Sequence, residues 1–189
     1  MTKLIAALGA VFILAGVAFA ADPASLTEAK IKNFIASMES VKALGNELEA
    51  SGKTDTLEID SIPKTGEDFR PYSKSVAALK EKHPADHQRL AALVKPHGFS
   101  VDSWAETGDR VMIAYMAEKA EEHPESLAHA QAMDPAMLSM VPPEMRAQME
   151  GVMAMMETVK KAPAADRAAL RPHMAALDAE LEATVAASR

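Results

Sequence analysis

Apolar residues in this chain recur at steps of three and four, and the alternating pattern of a β-strand is nearly absent. The clearest stripe consists of Ile31, Phe34, Ile35, Met38, Val41, Leu44 and Leu48. This spacing places the stripe on one face of a helix. Ser25 and Glu28, three residues apart just before it, predict a capping box at the start of that helix. The fold class predicted from these patterns is all-α.

Proline divides the helical pattern into segments. Because the residue before proline avoids the helical region, the pairs at 83–84 and 123–124 mark helix boundaries. Residues 21–189 are therefore predicted to form a single-domain bundle of about six to seven helices. Residues 52–71 contain turn formers and no helical period, which predicts a long loop, either packed over the helices or mobile.

The C-terminal part carries two apolar stripes of the kind that pack helices side by side. The first contains Met145, Met149, Val152, Met156 and Val159, and the second contains Leu170, Met174, Leu177 and Leu181. Both follow alternating steps of four and three, and Ala162-Pro163 lies between them. The pattern predicts a C-terminal antiparallel helical hairpin, which Pro172 kinks or restarts in its second arm.

A further helix is predicted from residue 101 to about residue 122. Trp104, Gly108, Val111, Met112 and Tyr115 lie along one of its sides. Glycine in a helix interior is less favourable than alanine by about 1 kcal/mol. The place of Gly108 on the apolar side of the helix therefore predicts that a neighbouring helix comes close there. Trp104 is predicted to be a buried core residue.

The N-terminal segment has the pattern of a signal peptide. Lys3 precedes an apolar run from residue 4 to residue 19, and the segment ends on Ala18-Phe19-Ala20, a small-x-small cleavage pattern. The run is shorter than the roughly 20 residues that span a bilayer as a helix. Residues 1–20 are therefore predicted to be removed, with an uncleaved membrane anchor as the alternative, and the protein is predicted to be exported to the periplasm.

Composition excludes several function classes. The net charge of −7 argues against a nucleic-acid partner, and the absence of cysteine excludes disulfides, thiolate metal sites and cysteine nucleophiles. The chain has no nucleophile elbow, metalloprotease helix, di-iron motif or phosphate loop. Glu118, Glu121 and Glu122 have the pattern of a solvated helix face. No enzyme activity and no resident cofactor are predicted.

Methionine is the most unusual component. Eight of the chain's 13 methionines lie between residues 133 and 156. Thioether sulfur is a soft ligand that suits Cu(I) or Ag(I) in an exported protein without cysteine. At helical spacing the candidate ligands are His129, Met133, Met137 and Met140. Soft-metal binding, with Cu(I) as the bound ion, is one of the two functions that the sequence supports.

The other function is binding of an apolar partner. Met145, Met149 and Met156 lie on the predicted seam, where core packing is the simplest explanation, while Met153 and Met155 flank it on either side. The apolar arc is thus wider than one partner helix requires. A flexible methionine surface adapts to varied apolar shapes. These five residues predict a surface for a hydrophobic peptide, a protein or a small apolar ligand, and a homodimer could bury the same face.

Two short segments resemble known exported proteins. The segment Leu26-Thr27-Glu28-Ala29-Lys30 resembles the Leu-Thr-x-x-Gln motif of periplasmic stress chaperones of the Spy/CpxP type, with Lys30 in place of glutamine. By analogy, that resemblance implies chaperone-like binding. Residues 98–115 are similar to a segment of uncharacterised exported all-helical proteins of proteobacteria, a resemblance that implies the fold and the export but no activity.

Overall fold

A computed structural model describes residues 25–57, 63, 66–122 and 141–187, except the side chains of residues 143, 144 and 184–187. Every regular element in these ranges is an α-helix or a short 3-10 helix, so the all-α prediction is confirmed. The predicted signal peptide, residues 1–20, lies outside the described residues. In chain order the α-helices are α1 (Glu28–Ala50), α2 (Pro71–Lys82), α3 (Pro84–Val94), α4 (Val101–Glu122), α5 (Pro143–Lys160), α6 (Ala164–Leu170) and α7 (Met174–Ala187).

Helix α1 buries the predicted apolar stripe, but a different residue caps it. The N-cap is Thr27, whose hydroxyl accepts a hydrogen bond from the Lys30 amide at 3.2 Å. The predicted capping box on Ser25 is therefore wrong. The amide of Leu26 donates instead to the buried carboxylate of Asp166, at 2.9 Å. This contact across 140 residues fixes the chain just before the helix and positions Thr27 as the cap.

A buried side chain anchors each described end of the predicted loop to the helices. Leu57, next to a 3-10 helix at Thr54–Thr56, belongs to the buried core, and Phe69 is also buried. After it, α2 begins at Pro71, the last residue of the predicted loop. The side chain of Asp109 on α4 accepts hydrogen bonds from the amides of Tyr72 and Ser73 and so caps α2 from another helix.

Helix α4 is the centre of the bundle. It contacts α1, α2, α3, α5 and α6, and its most extensive contacts are with α2 and α6. Its residue Trp104 is only 5% exposed, as predicted. The indole Nε1 donates to the Ser37 hydroxyl on α1 at 2.8 Å, so the buried polar atom of the ring has a partner.

Three aromatic rings meet at this point. The ring centres of Phe34, Tyr72 and Trp104 lie 5.4 to 5.6 Å from one another, within the range that favours edge and tilted contacts. Gly108 lies beneath them, and a β-carbon there would come within 2.7 Å of the Tyr72 ring. The predicted close approach of a neighbouring helix is therefore confirmed, and the neighbours are Tyr72 of α2 and, at 3.0 Å, Phe34 of α1. We call Phe34, Tyr72, Trp104 and Gly108 the aromatic core.

The three C-terminal helices follow one another closely but do not pack mainly on each other. A 3-10 helix at Arg171–His173 separates α6 from α7, which confirms that the chain restarts at Pro172. Helix α5 packs on α4, whereas α7 packs on α1. Leu170 and Leu177 enter the buried core. The two apolar stripes expected to face each other are thus directed towards different partners.

Candidate functional site

The methionines of α5 remain largely outside the protein core. Met145 is 51% exposed, and Met149, Met153, Met155 and Met156 are partly exposed. Within the part of the chain that the structure describes, none of the five belongs to the buried core cluster or to the partly buried residues packed on it. Core packing of Met145, Met149 and Met156, the simplest expectation from the sequence, is therefore not observed.

Four of these methionines share one side of α5. Met145, Met149 and Met153 follow one another at steps of four, and Met156 follows three residues later, so their side chains are neighbours along the helix. Met155 lies to the other side of this row. The five methionines thus form the wide apolar arc that the sequence predicts. Towards the C-terminal end of α5, the side chain that is buried is that of Val159. We call the five residues the methionine face.

A groove of about 860 Å³ lies beside the methionine face and is lined in part by Met153. It lies between α5, Ile113 of α4 and the segment at residues 66–68. Its apolar lining consists of Ile113, Met153, Ala154 and Pro163. Ligand-binding clefts commonly have volumes of roughly 300–1,000 Å³ and mainly apolar walls, so this groove has the dimensions of a binding site. Among the predicted partner-binding residues, Met153 is the one that lines it.

Most of the other described residues that line the groove are charged. They are the carboxylates Glu67, Asp68, Glu150 and Glu157 and one ammonium group among the described residues, that of Lys161. Glu67 pairs with Lys74 at 2.8 Å, and Glu157 pairs with Lys160 at 2.9 Å. The hydrogen bond from Lys160 lowers the pKa of Glu157, so this carboxylate is ionised at neutral pH.

A second cavity, of about 670 Å³, adjoins the first and shares Asp68, Ile113 and Thr158 with it. Its polar lining is used by the fold. Asp109 caps α2, and the Arg110 guanidinium binds the carboxylate of Asp166, which is only 1% exposed. Burial raises the pKa of Asp109, and the hydrogen bonds from Ser73 and Tyr72 oppose that shift. The arrangement stabilises the contacts of α2 and α6 with α4.

Carboxylates elsewhere on α4 have a similar structural role. Glu118 accepts hydrogen bonds from Arg167 at 2.6 Å and from Arg171 at 2.7 Å. These bonds lower its pKa, with that of Arg171 the larger cause. The expectation that Glu118 belongs to a solvated face is therefore wrong, although Glu121 and Glu122 are exposed. Asp178 likewise accepts from Tyr115 and Lys119 and ties α7 to α4.

The predicted soft-metal ligands, His129, Met133, Met137 and Met140, lie outside the described residues. Within the part of the chain that the structure describes, no group of three or more His, Asp or Glu side chains has the arrangement to hold a metal ion. Of the two predicted sites, the methionine face is the one that lies within the described residues.

Across the described ranges, no helix combines the length and the apolar character needed to cross a membrane. Comparisons with protein-family models, with curated proteins and with solved structures gave no match for this chain.

Proposed function

We propose that this chain is an exported, non-catalytic and chaperone-like binding protein that accepts an apolar ligand or polypeptide segment on α5. The ligand would lie along the methionine face and enter the groove at Met153. The observation that carries the proposal is that five methionines on one helix stay outside the core beside a groove of about 860 Å³. Export is supported by the signal-peptide pattern of residues 1–20.

Physical chemistry favours methionine for such a surface. Its unbranched side chain has three rotatable bonds and a polarizable sulfur, so it fits ligands of different shape. Burying apolar area contributes roughly 25 cal/mol per Å². Met145, which is half exposed, and the four partly exposed methionines still have area to bury. In the aromatic core that area is already covered by neighbouring side chains.

The proposal predicts that the folded protein binds a neutral solvatochromic dye. Replacement Met153→Gln is expected to weaken binding by about 1 kcal/mol or more, because it puts an amide into the apolar groove lining. Met155→Gln, on the flank of the face, should have a smaller effect. Fluorescence titration measures the affinity, and native mass spectrometry gives the oligomeric state of the same sample.

The matched control is Met38→Gln, the same change at a partly buried methionine on α1, outside the groove. Thermal melting of each variant establishes that it is folded. Folded Met38→Gln should bind the dye as the unmodified protein does. Absence of dye binding by the native protein would contradict the proposal. If that protein were also a homodimer, the methionine face would instead be a subunit interface.

A further inference from the structure

The groove beside α5 combines an apolar lining with an excess of negative charge. Glu67 and Asp68 come from the segment before α2, whereas Glu150 and Glu157 come from α5. Carboxylates of two different elements therefore border the same apolar lining. Against these four groups, the described residues of the lining include one cation, Lys161.

From this arrangement we infer that the partner in the groove is a cationic amphipathic polypeptide segment, with apolar side chains flanked by lysine or arginine. This inference rests on the proposed function and specifies its partner. Apolar side chains of the segment would contact Ile113 and Met153. Its cations would pair with the carboxylates at the borders of the groove, where complementary charge adds selectivity and speeds association.

The ion pairs already present at the groove can be exchanged for pairs with such a partner. Glu157 and Lys160 are both well exposed, and so are Asp68 and Arg70, whose charged groups lie 3.2 Å apart. Exposed pairs of this kind contribute little to stability, because water solvates both charges almost as well when they separate. An incoming lysine or arginine can therefore take the place of Lys160 or Arg70 without disrupting the fold.

Other occupants fit the charge less well. An anionic lipid surface or a nucleic acid would bring more negative charge to the four carboxylates. A second copy of this chain, which has a net charge of −7, would bring a second acidic groove to the first. A neutral apolar ligand would contact the lining but leave the carboxylates without new partners. The cationic segment is the occupant that uses both features.

The test uses two synthetic helical peptides with leucine at identical positions and either lysine or glutamate at the polar positions. We expect the lysine peptide to bind the protein at least about tenfold more tightly than the glutamate peptide at low salt, and less tightly as salt screens the charges. The double variant Glu150→Gln/Glu157→Gln should weaken the lysine peptide about threefold to tenfold, since exposed charge pairs are individually modest. Fluorescence anisotropy measures each affinity.

The control Glu47→Gln removes one charge from an exposed ion pair on α1, where Glu47 binds Arg89, and should leave the affinity unchanged. A lysine peptide with alanine in place of leucine should bind weakly. Equal affinity for the lysine and glutamate peptides would overturn the inference, and so would equal losses in the Glu47 and Glu150/Glu157 variants. If the neutral dye binds at Met153 and neither peptide binds, the inference fails while the proposed function stands. If neither the dye nor a peptide binds, both fail.

Discussion

The aromatic core and the methionine face differ in how completely neighbouring side chains cover them. Phe34, Tyr72 and Trp104 contact one another, and the one polar atom of the indole donates to Ser37. On α5, by contrast, Met145 is half exposed and Met153 opens onto a groove. Both regions are apolar in sequence. Helical periodicity therefore identifies an apolar face, whereas long-range packing decides whether that face stabilises the fold or stays available to a partner.

Three carboxylates that bind helices to α4 are buried, whereas the carboxylates that line the groove are exposed or partly exposed. Asp109, Glu118 and Asp166 each bind groups from another helix, and together they attach α2 and α6 to α4. The carboxylates of the groove pair mainly with exposed lysine and arginine side chains close in sequence, such as Lys160 and Arg70. The ion pairs around α4 thus join helices, while those around the groove leave its charge accessible.

The largest expected difference between the regions is in the free energy of unfolding. Trp104→Ala should reduce it by about 3–5 kcal/mol, because it removes a large buried ring and leaves Ser37 without its indole donor. Met145→Ala, at the exposed end of the methionine face, should change it by no more than about 0.5 kcal/mol. Urea unfolding followed by circular dichroism measures both. Similar losses for the two variants would show that α5 is part of the core.

A smaller and more local effect is expected at the glycines. In Gly108→Ala the new methyl group would meet the Tyr72 ring, and such overpacking reduces stability by about 1–3 kcal/mol. Gly45→Ala on α1 is the matched control, because nothing lies within 4 Å of its β-carbon position. That change should stabilise the protein by about 0.5–1 kcal/mol through helix propensity. Calorimetric melting of the two variants separates the outcomes, and stabilisation by both would contradict the close approach of α2.

Local sequence patterns predicted much of this fold. The stripe of α1, the burial of Trp104 and the crowding at Gly108 all follow from periodicity within a single helix. The burial of Glu118 did not, because its partners Arg167 and Arg171 lie 49 and 53 residues further along the chain. The capping of α2 depends on Asp109, which is similarly remote, 37 residues from Tyr72. Contacts over such separations leave no local pattern.

The candidate site also has one part that local sequence predicts and one part that it does not. The five methionines of α5 were identified from their spacing, because a row at steps of three and four marks one side of a helix. The groove was not, since its lining joins α5 to Ile113 and to the segment at residues 66–68. Whether α5 and α7 pack side by side as the predicted hairpin also depends on contacts between residues far apart in the chain. Both stripes are helical, but α5 lies on α4 and α7 lies on α1.

Ligand binding at the methionine face can be measured by a nuclear magnetic resonance titration of the protein labelled with carbon-13 at its methionine methyl groups. The neutral dye is the probe, and methionine substitutions assign the signals. We expect the signal of Met153 to move, with smaller movements for Met149 and Met156, while the signals of Met38 and Met174, which pack against the core, stay in place. Movement of the Met38 or Met174 signals with those of α5 unchanged, or no movement of any signal, would contradict binding at the methionine face.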